Sequence, residues 1–95
     1  MKLEKDLHRH VMRQCKRAGV FCQKTESRSA RGFPDLILAG GGRVVFIELK
    51  SPSGTGRLSP LQLRRHREMI AAGLDVRVVD DPGVADDIIE SLVEL

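Results

Sequence analysis

The chain is poor in aromatic residues and has no long apolar run. Among its 95 residues are three Phe and neither Trp nor Tyr. We therefore expect an aliphatic core, and stacking of nucleobases on aromatic side chains is not an obvious binding mode. No segment approaches the apolar length that a membrane helix requires, and the N-terminus carries no apolar signal segment. These absences predict a cytoplasmic protein.

Cysteine and histidine are also scarce. Cys15 and Cys22 form no C-x-x-C pattern, which argues against a disulfide framework and against a zinc site. His8, His10 and His66 have no zinc-ligand spacing either. We expect reduced, structural cysteines and histidines that lie on the surface or contact phosphate.

The length and charge of the chain limit its organisation. Ninety-five residues predict a single domain, residues 1–95, because a second core would not fit. Sixteen Lys and Arg against 13 Asp and Glu give a net charge of +3, a mild preference for polyanions. Acidic residues crowd positions 80–94, so residues 1–79 are markedly more basic.

Residues 32–50 are the most informative stretch and predict a β-hairpin. Three consecutive glycines, Gly40, Gly41 and Gly42, separate two flanks rich in Val, Ile, Leu and Phe. Glycine supplies the positive φ angles of a tight turn. If Gly41 and Gly42 form the loop, Gly40 pairs with Arg43.

Extending that register outward brings three ionisable side chains together. Asp35 falls directly opposite Glu48, and Lys50 lies one step further on the same face. Two carboxylates facing each other across a ladder repel, and a divalent cation such as Mg²⁺ or Mn²⁺ would offset this repulsion. The alternative is that Asp35 only starts a strand and that Glu48 and Lys50 form a solvent-facing pair.

These residues resemble the signature of a known nuclease superfamily. The motifs are Gly32 before Pro34-Asp35, then Glu48-Leu49-Lys50, then Ser59-Pro60-Leu61-Gln62. Together they resemble the PD-(D/E)xK nucleases, and within them the virus-type replication-repair nuclease (VRR-NUC) domain. The resemblance extends from Glu4 to about Val79. It implies a metal-dependent nuclease of a bacterium or a phage-infected cell.

The resemblance also implies roles for particular residues. Mg²⁺ or Mn²⁺ would be held by Asp35, Glu48, the carbonyl of Leu49 and Glu4. Lys50 would orient and stabilise the attacking water, with support from Gln62.

Two of these assignments have structural alternatives. Glu4 lies near the Val11 stripe of a predicted helix, which turns it toward the core side, but it would also suit the first turn as a solvated acid. Gln62 stands three residues after Ser59, which is the spacing of a helix capping box. We expect one side chain to be unable to serve both the cap and the site fully.

Basic residues near the predicted site are candidate DNA contacts. The set is Arg28, Arg31, Arg57, Arg64, Arg65 and Arg67. Guanidinium groups suit backbone phosphates, although such runs are often plain solvated faces. We expect the helix to expose His66 together with Arg64, Arg65 and Arg67.

Hydrophobic periodicity predicts an α/β fold. Helices are predicted over residues 3–18, from Ser59 to Gly73 and over 84–94; strands over 20–26, on both hairpin flanks and over 74–79. This order, αβββαβ(α), predicts a mixed sheet with helices on both faces, as in the restriction-endonuclease-like core of the superfamily. Apolar residues on both faces of the third strand require cover on both sides.

We therefore predict a metal-dependent, structure-specific DNA endonuclease that acts on Holliday-type junctions or other branched DNA in replication, repair or recombination. The alternatives are a non-catalytic nucleic-acid-binding module and, less favoured, a sequence-specific restriction-type enzyme. A homodimer is also predicted, because two-fold symmetry would present two sites to a nearly two-fold substrate and the resemblance implies it. Its candidate contacts are Ile88, Leu92, Val93 and Leu95 on the last helix. The alternative is that this helix only covers the sheet, which is the commoner role of a terminal amphipathic helix.

Overall fold

The structure, a computed structural model, describes residues 1–25 and 31–93. Its elements are α1 (Glu4–Ala18), β1 (Phe21–Lys24), β2 (Leu36–Gly40), β3 (Arg43–Leu49), α2 (Pro60–Ala71), β4 (Val76–Val79) and α3 (Pro82–Ser91). This order confirms the predicted succession of helix, three strands, helix, strand and helix. Across the described ranges, no helix combines the length and apolarity needed to cross a membrane.

The four strands form one mixed sheet in the order β1-β2-β3-β4. β1 pairs with β2 and β2 with β3 in antiparallel fashion, whereas β3 and β4 are parallel. Gly40 pairs with Arg43, and Gly41 and Gly42 have φ angles of 57° and 76°. A two-residue turn with both central φ angles positive matches the twist of the flanking strands. The predicted hairpin register is thus confirmed.

The core lies between one face of the sheet and the helices α1 and α3. α1 contributes the stripe Leu7, Val11 and Cys15 at helical spacing. Both cysteines are free thiols, Cys15 within the core and Cys22 packed against it. The prediction of reduced, structural cysteines is consistent with this placement.

α3 covers the sheet with residues that the sequence suggested as dimer contacts. Ile88 is 4% exposed and Leu92 only 1% exposed, because both belong to the core of their own chain. Their proposed intermolecular role is therefore wrong. Val93 remains partly exposed, and Leu95 lies outside the described residues.

The second face of the sheet is covered only in part, by α2. On β3 this face carries Val44, Phe46 and Glu48, since side chains alternate along a strand. Phe46 packs edge-on against Phe33, with ring centroids 5.6 Å apart. Val44 and Val78, in contrast, are 50% and 48% exposed. The prediction of helices on both faces is confirmed, although α2 leaves part of the second face exposed.

β1 and β4 begin later than predicted, because the residues expected to start them belong to the ends of the preceding helices. The N–H of Val20 donates to the carbonyl of Cys15, and the N–H of Leu74 donates to that of Met69. Such bonds satisfy carbonyl groups left open at a helix C-terminus.

α3 begins two residues before the predicted position. The Asp81 side chain accepts a hydrogen bond from the N–H of Gly83, and Pro82 occupies the first helical position. An acidic cap followed by Pro is a favourable helix start. The helix is therefore initiated within residues 80–83, between the predicted strand and the predicted helix.

Candidate active site

Asp35 and Glu48 meet at the open end of the β2–β3 hairpin, on the face that α2 covers. Leu36 pairs with Ile47, so one further step of the same register sets Asp35 opposite Glu48. Asp35 is fixed there because its Oδ2 accepts a hydrogen bond from the N–H of Leu49 over 2.9 Å. The convergence predicted from the hairpin register is confirmed.

The loop that delivers Asp35 is held from both sides. Thr25 donates from its N–H to the Asp35 carbonyl over 2.9 Å and from Oγ1 to the Pro34 carbonyl over 2.6 Å. Gly32 has a φ of 79°, and a Cβ there would come within 2.9 Å of the carbonyl oxygen of Leu61 in α2. Glycine therefore permits both the turn and the close approach of the helix. These contacts position the Pro-Asp segment between β1 and α2.

Glu48 is a carboxylic acid placed where ionisation is costly. It is 2% exposed, although a carboxylate normally lies in water. Burial, and then the neighbouring charge of Asp35, raise the pKa of Glu48 from an ordinary 4.5 to about 8. Lys50 opposes this shift, because its Nζ lies 3.6 Å from Glu48 Oε2. A positive charge added next to the two carboxylates would stabilise their ionised form.

Gln62 serves the helix cap and the site at the same time. Its Oε1 accepts from the N–H of Ser59 over 2.9 Å and from Lys50 Nζ over 3.2 Å, while its Nε2 donates to Glu48 Oε2 over 3.3 Å. Its own N–H donates to Ser59 Oγ, which completes the capping box. An amide oxygen has two lone pairs, so one side chain satisfies both roles. The expectation that one side chain could not serve both roles fully is wrong.

His66 is buried beside Glu48 rather than exposed on α2. It is 3% exposed, and its Nε2 lies 3.7 Å from Glu48 Oε1. Burial and the charge of Lys50 lower the pKa of His66, which favours a neutral ring. The prediction of a surface histidine is wrong. Its four-residue spacing from Gln62, which puts both on one helical face, was the signal available in the sequence.

The first helix approaches the site through His8. The Nε2 of His8 lies 4.0 Å from Asp35 Oδ2, too far for a hydrogen bond. Glu4 is exposed one turn earlier on α1, so the core-side placement expected for it is wrong; it makes no hydrogen bond or ion pair within residues 1–25 and 31–93. His10 lies elsewhere and binds Asp86 of α3 over 2.7 Å. The role of Glu4 as a metal ligand stays a prediction.

The basic residues of α2 are available for a ligand. Arg64, Arg65 and Arg67 are exposed, with Arg65 bonded to Glu68 on the same helix over 3.1 Å. They are carried by the same helix whose Gln62 and His66 face Glu48.

The other three predicted DNA contacts differ in their placement. Arg31 is exposed just before the Pro-Asp segment. Arg57 folds back and donates to the carbonyls of Gly54 and Gly56 over 3.3 and 3.2 Å. Arg28 lies outside the described residues.

The donor set fits a hard divalent cation, for which the protein would supply only part of the ligands. In the part of the chain that the structure describes, no three His, Cys, Asp or Glu side chains form a ready-made metal cluster. The fold does bring together Asp35, Glu48 and the main chain of Leu49, and Glu48 Oε1 is buried without a hydrogen-bond partner among these described residues. Mg²⁺ typically keeps several waters and binds through one or two carboxylates plus substrate phosphates.

A mixed sheet that sets Pro-Asp and Glu-x-Lys side by side defines a nuclease domain of the PD-(D/E)xK class. "Putative nuclease p44" of Acyrthosiphon pisum secondary endosymbiont phage 1 is 32% identical to this chain over 78 residues, which cover 81% of this chain and 82% of that protein. A solved structure described as "VRR_NUC domain" matches with a TM-score of 0.79 at 25% identity, covering 95% of this chain and 97% of that one. No family model matches the chain. On the phage relative and the solved structure, the chain belongs to the VRR-NUC family of nuclease domains.

Proposed function

We propose that this protein is a metal-dependent endonuclease that hydrolyses phosphodiester bonds in branched DNA, including four-way junctions, during replication, repair or recombination. The observation that carries the proposal is the pairing of Asp35 with a buried Glu48, one of whose oxygens has no hydrogen-bond partner within the described ranges. Such an arrangement is unfavourable for structure alone, because two acids repel at short range and burial penalises their charge. Membership of a nuclease family supports the choice of reaction.

Asp35 and Glu48 would hold Mg²⁺ or Mn²⁺ together with the Leu49 carbonyl, and Glu4 would complete the set. A bound divalent ion supplies charge stabilisation of a phosphoryl oxygen and a more acidic water. The carboxylates keep their position because Leu49 N–H binds Asp35 and Gln62 binds Glu48.

Lys50 would act on the water and on the developing charge of the phosphate. Its Nζ is held between Gln62 Oε1 and Glu48 Oε2, at 3.2 and 3.6 Å. A fixed ammonium group stabilises negative charge without reorganising during the reaction. Gln62 therefore positions Lys50 and Glu48 with the two ends of one amide.

The choice of DNA as substrate rests on charge. The guanidinium groups of Arg64, Arg65 and Arg67 are exposed on α2, the helix that contacts Glu48, and suit the phosphate backbone. Arg31, four residues before Asp35 in the chain, is exposed as well. The preference for branched DNA comes from the family resemblance.

A homodimer is part of the proposal. A two-fold assembly would present two identical sites to a junction that is itself nearly two-fold. Because Ile88 and Leu92 are buried within the chain, the exposed apolar row on the second sheet face is the better candidate contact. In this row Phe21 and Val44, which are 58% and 50% exposed, flank Ala39.

A panel of labelled substrates tests the proposed function. Nicked, flapped, four-way and linear duplex DNA are incubated with the protein in Mg²⁺, in Mn²⁺ or in EDTA. We expect cleavage of branched substrates with either metal and none in EDTA. Binding without products on any substrate would favour the non-catalytic module, and equal cleavage of linear duplex would remove the structural preference.

A further inference from the structure

The two oxygens of Glu48 face two side chains of α2. Gln62 Nε2 donates to Oε2 over 3.3 Å, whereas Oε1 faces His66 Nε2 at 3.7 Å. Both atoms of the second pair are buried, and neither has a hydrogen-bond partner within the described residues. Two neighbouring buried polar atoms that both lack a hydrogen bond are rare in native proteins, because each loses its hydration without a replacement.

The helical spacing explains why α2 reaches both oxygens. Gln62 and His66 are four residues apart, so their side chains project from one face of the helix. Met69 continues this face and is buried as well, at 6% exposure. The capping box at Ser59 fixes where the helix starts, and thus which part of β3 the two side chains contact. The ring of His66 is buried at this contact, with 3% of its surface exposed.

We propose that His66 is a positioning residue that donates a hydrogen bond from Nε2 to Glu48 Oε1 when a cation is bound, so that α2 orients both oxygens of this carboxylate. The inference rests on the proposed function, since it concerns the metal-binding state. An ionised carboxylate is an acceptor only, so the ring must present Nε2–H toward it. A shift of about 0.8 Å would bring the 3.7 Å pair to the usual N–H···O distance.

This contact would stabilise the orientation of Glu48 needed by the ion. Groups that hydrogen-bond to a ligand carboxylate fix its direction, and their loss commonly lowers metal affinity about 10- to 100-fold. Within the described residues, Gln62 bonds only to Oε2, and Oε1 has no hydrogen-bond partner. A second donor at Oε1 would fix the direction of both oxygens.

Two substitutions of His66 distinguish the effect of its hydrogen-bond donor from the effect of its volume. His66→Leu fills much of the space without a donor, and His66→Gln places an amide N–H near the position of Nε2. His10→Gln, at the histidine that binds Asp86, is the matched control away from the site. For each purified variant, the circular dichroism spectrum is recorded and the Mn²⁺ dissociation constant is measured by calorimetry.

We expect His66→Leu to raise the Mn²⁺ dissociation constant about 10-fold or more with an unchanged fold. His66→Gln should recover most of the affinity, and His10→Gln should match wild type. In cleavage assays the His66→Leu deficit should diminish as Mn²⁺ is raised, with the KM for DNA unchanged. A wild-type dissociation constant in folded His66→Leu would overturn the proposal, as would equal losses of affinity in the Leu and Gln variants.

The tautomer of His66 gives a readout that needs no cation. Long-range ¹H–¹⁵N spectra of the metal-free protein at alkaline pH should show the proton on Nε2, and a proton on Nδ1 would overturn the proposal. If wild type and folded His66→Leu bind Mn²⁺ equally well, this inference fails while the proposed function stands. If the folded wild type binds neither Mn²⁺ nor Mg²⁺, the proposed function fails as well.

Discussion

The side-chain amide of Gln62 bonds to Glu48 Oε2 with its nitrogen while its oxygen caps the helix that carries it. The start of α2 and the position of a site carboxylate are thus set by one side chain. Ser59, the partner in the cap, touches the helix but not Glu48.

Substitutions at these two positions should separate the cap from the site. Ser59→Ala removes the acceptor of the Gln62 N–H and should lower the free energy of unfolding by about 1 kcal/mol, with cleavage near the wild-type rate. Gln62→Ala also removes the bonds to Lys50 and Glu48, so it should lower both stability and cleavage. Urea unfolding and single-turnover cleavage measure the two effects. Equal cleavage by the two variants would assign Gln62 to the cap alone.

The stability of the metal-free protein should depend on pH through Glu48. The pKa of Glu48 in the folded state is about 8, above its ordinary value of 4.5. The unfolded state therefore loses its proton first, so the stabilising contribution is fully present below about pH 4.5 and is lost as the pH rises through about 8.

Urea unfolding between pH 5 and pH 9 in EDTA measures this dependence. The Glu48→Gln variant is measured in parallel, because its stability changes with pH only through the other titrating groups. We expect wild type to lose stability relative to Glu48→Gln as the pH rises. Adding Mg²⁺ at high pH should restore the stability of wild type only, because a bound cation favours the folded state. Parallel curves for the two proteins would contradict the raised pKa.

The hairpin and the Asp35–Glu48 pair could be predicted from the sequence, because residues close together in the chain determine their geometry. The glycine turn fixes the register, and the register fixes which side chains face each other. The cap at Ser59 was predictable for the same reason, since its spacing is contained within one helical turn.

His66 was missed because its basic neighbours suggested an exposed surface. Burial of this ring depends on where α2 docks across the sheet, which involves contacts distant in sequence such as Gly32 against Leu61. Val44 shows the converse case. Its apolar character suggested cover, yet it is half exposed near the hairpin turn, whereas α2 covers Glu48 at the other end of β3.

The arginines of α2 should act on DNA binding. Replacing Arg64, Arg65 and Arg67 together with Ala should weaken binding and reduce the slope of log affinity against log salt by about one unit for each phosphate that is no longer neutralised. Arg65 shares its charge with Glu68, so its own effect should be the smallest. Fluorescence anisotropy measures the slope between 50 and 300 mM salt. Over this range, a protein with about six phosphate contacts loses affinity by orders of magnitude.

Arg43→Ala is the matched control, because this exposed residue sits at the opposite, turn end of the hairpin. Its salt slope should equal that of wild type. If the triple variant also keeps the wild-type slope, the cluster on α2 is a solvated face without phosphate contacts.

Light scattering should detect the homodimer in the absence of DNA. At micromolar concentration we expect twice the chain mass of 10.6 kDa. Phe21→Ser and Val44→Ser should shift the mass toward one chain if the row on the second sheet face forms the contact. A single-chain mass of wild type across the dilution series would exclude the dimer and favour flaps or nicks as substrates.

Single-turnover cleavage of a labelled four-way junction with increasing Mg²⁺ shows whether Asp35 and Glu48 hold a divalent cation for DNA cleavage. Asp35→Asn is the decisive variant, because asparagine can still accept the hydrogen bond from Leu49 N–H while the charge is removed. We expect wild-type cleavage to rise with Mg²⁺ and to stop in EDTA, and folded Asp35→Asn to be inactive throughout. Cleavage by Asp35→Asn at the wild-type rate, or wild-type cleavage that persists in EDTA, would rule out a catalytic metal site at these two carboxylates.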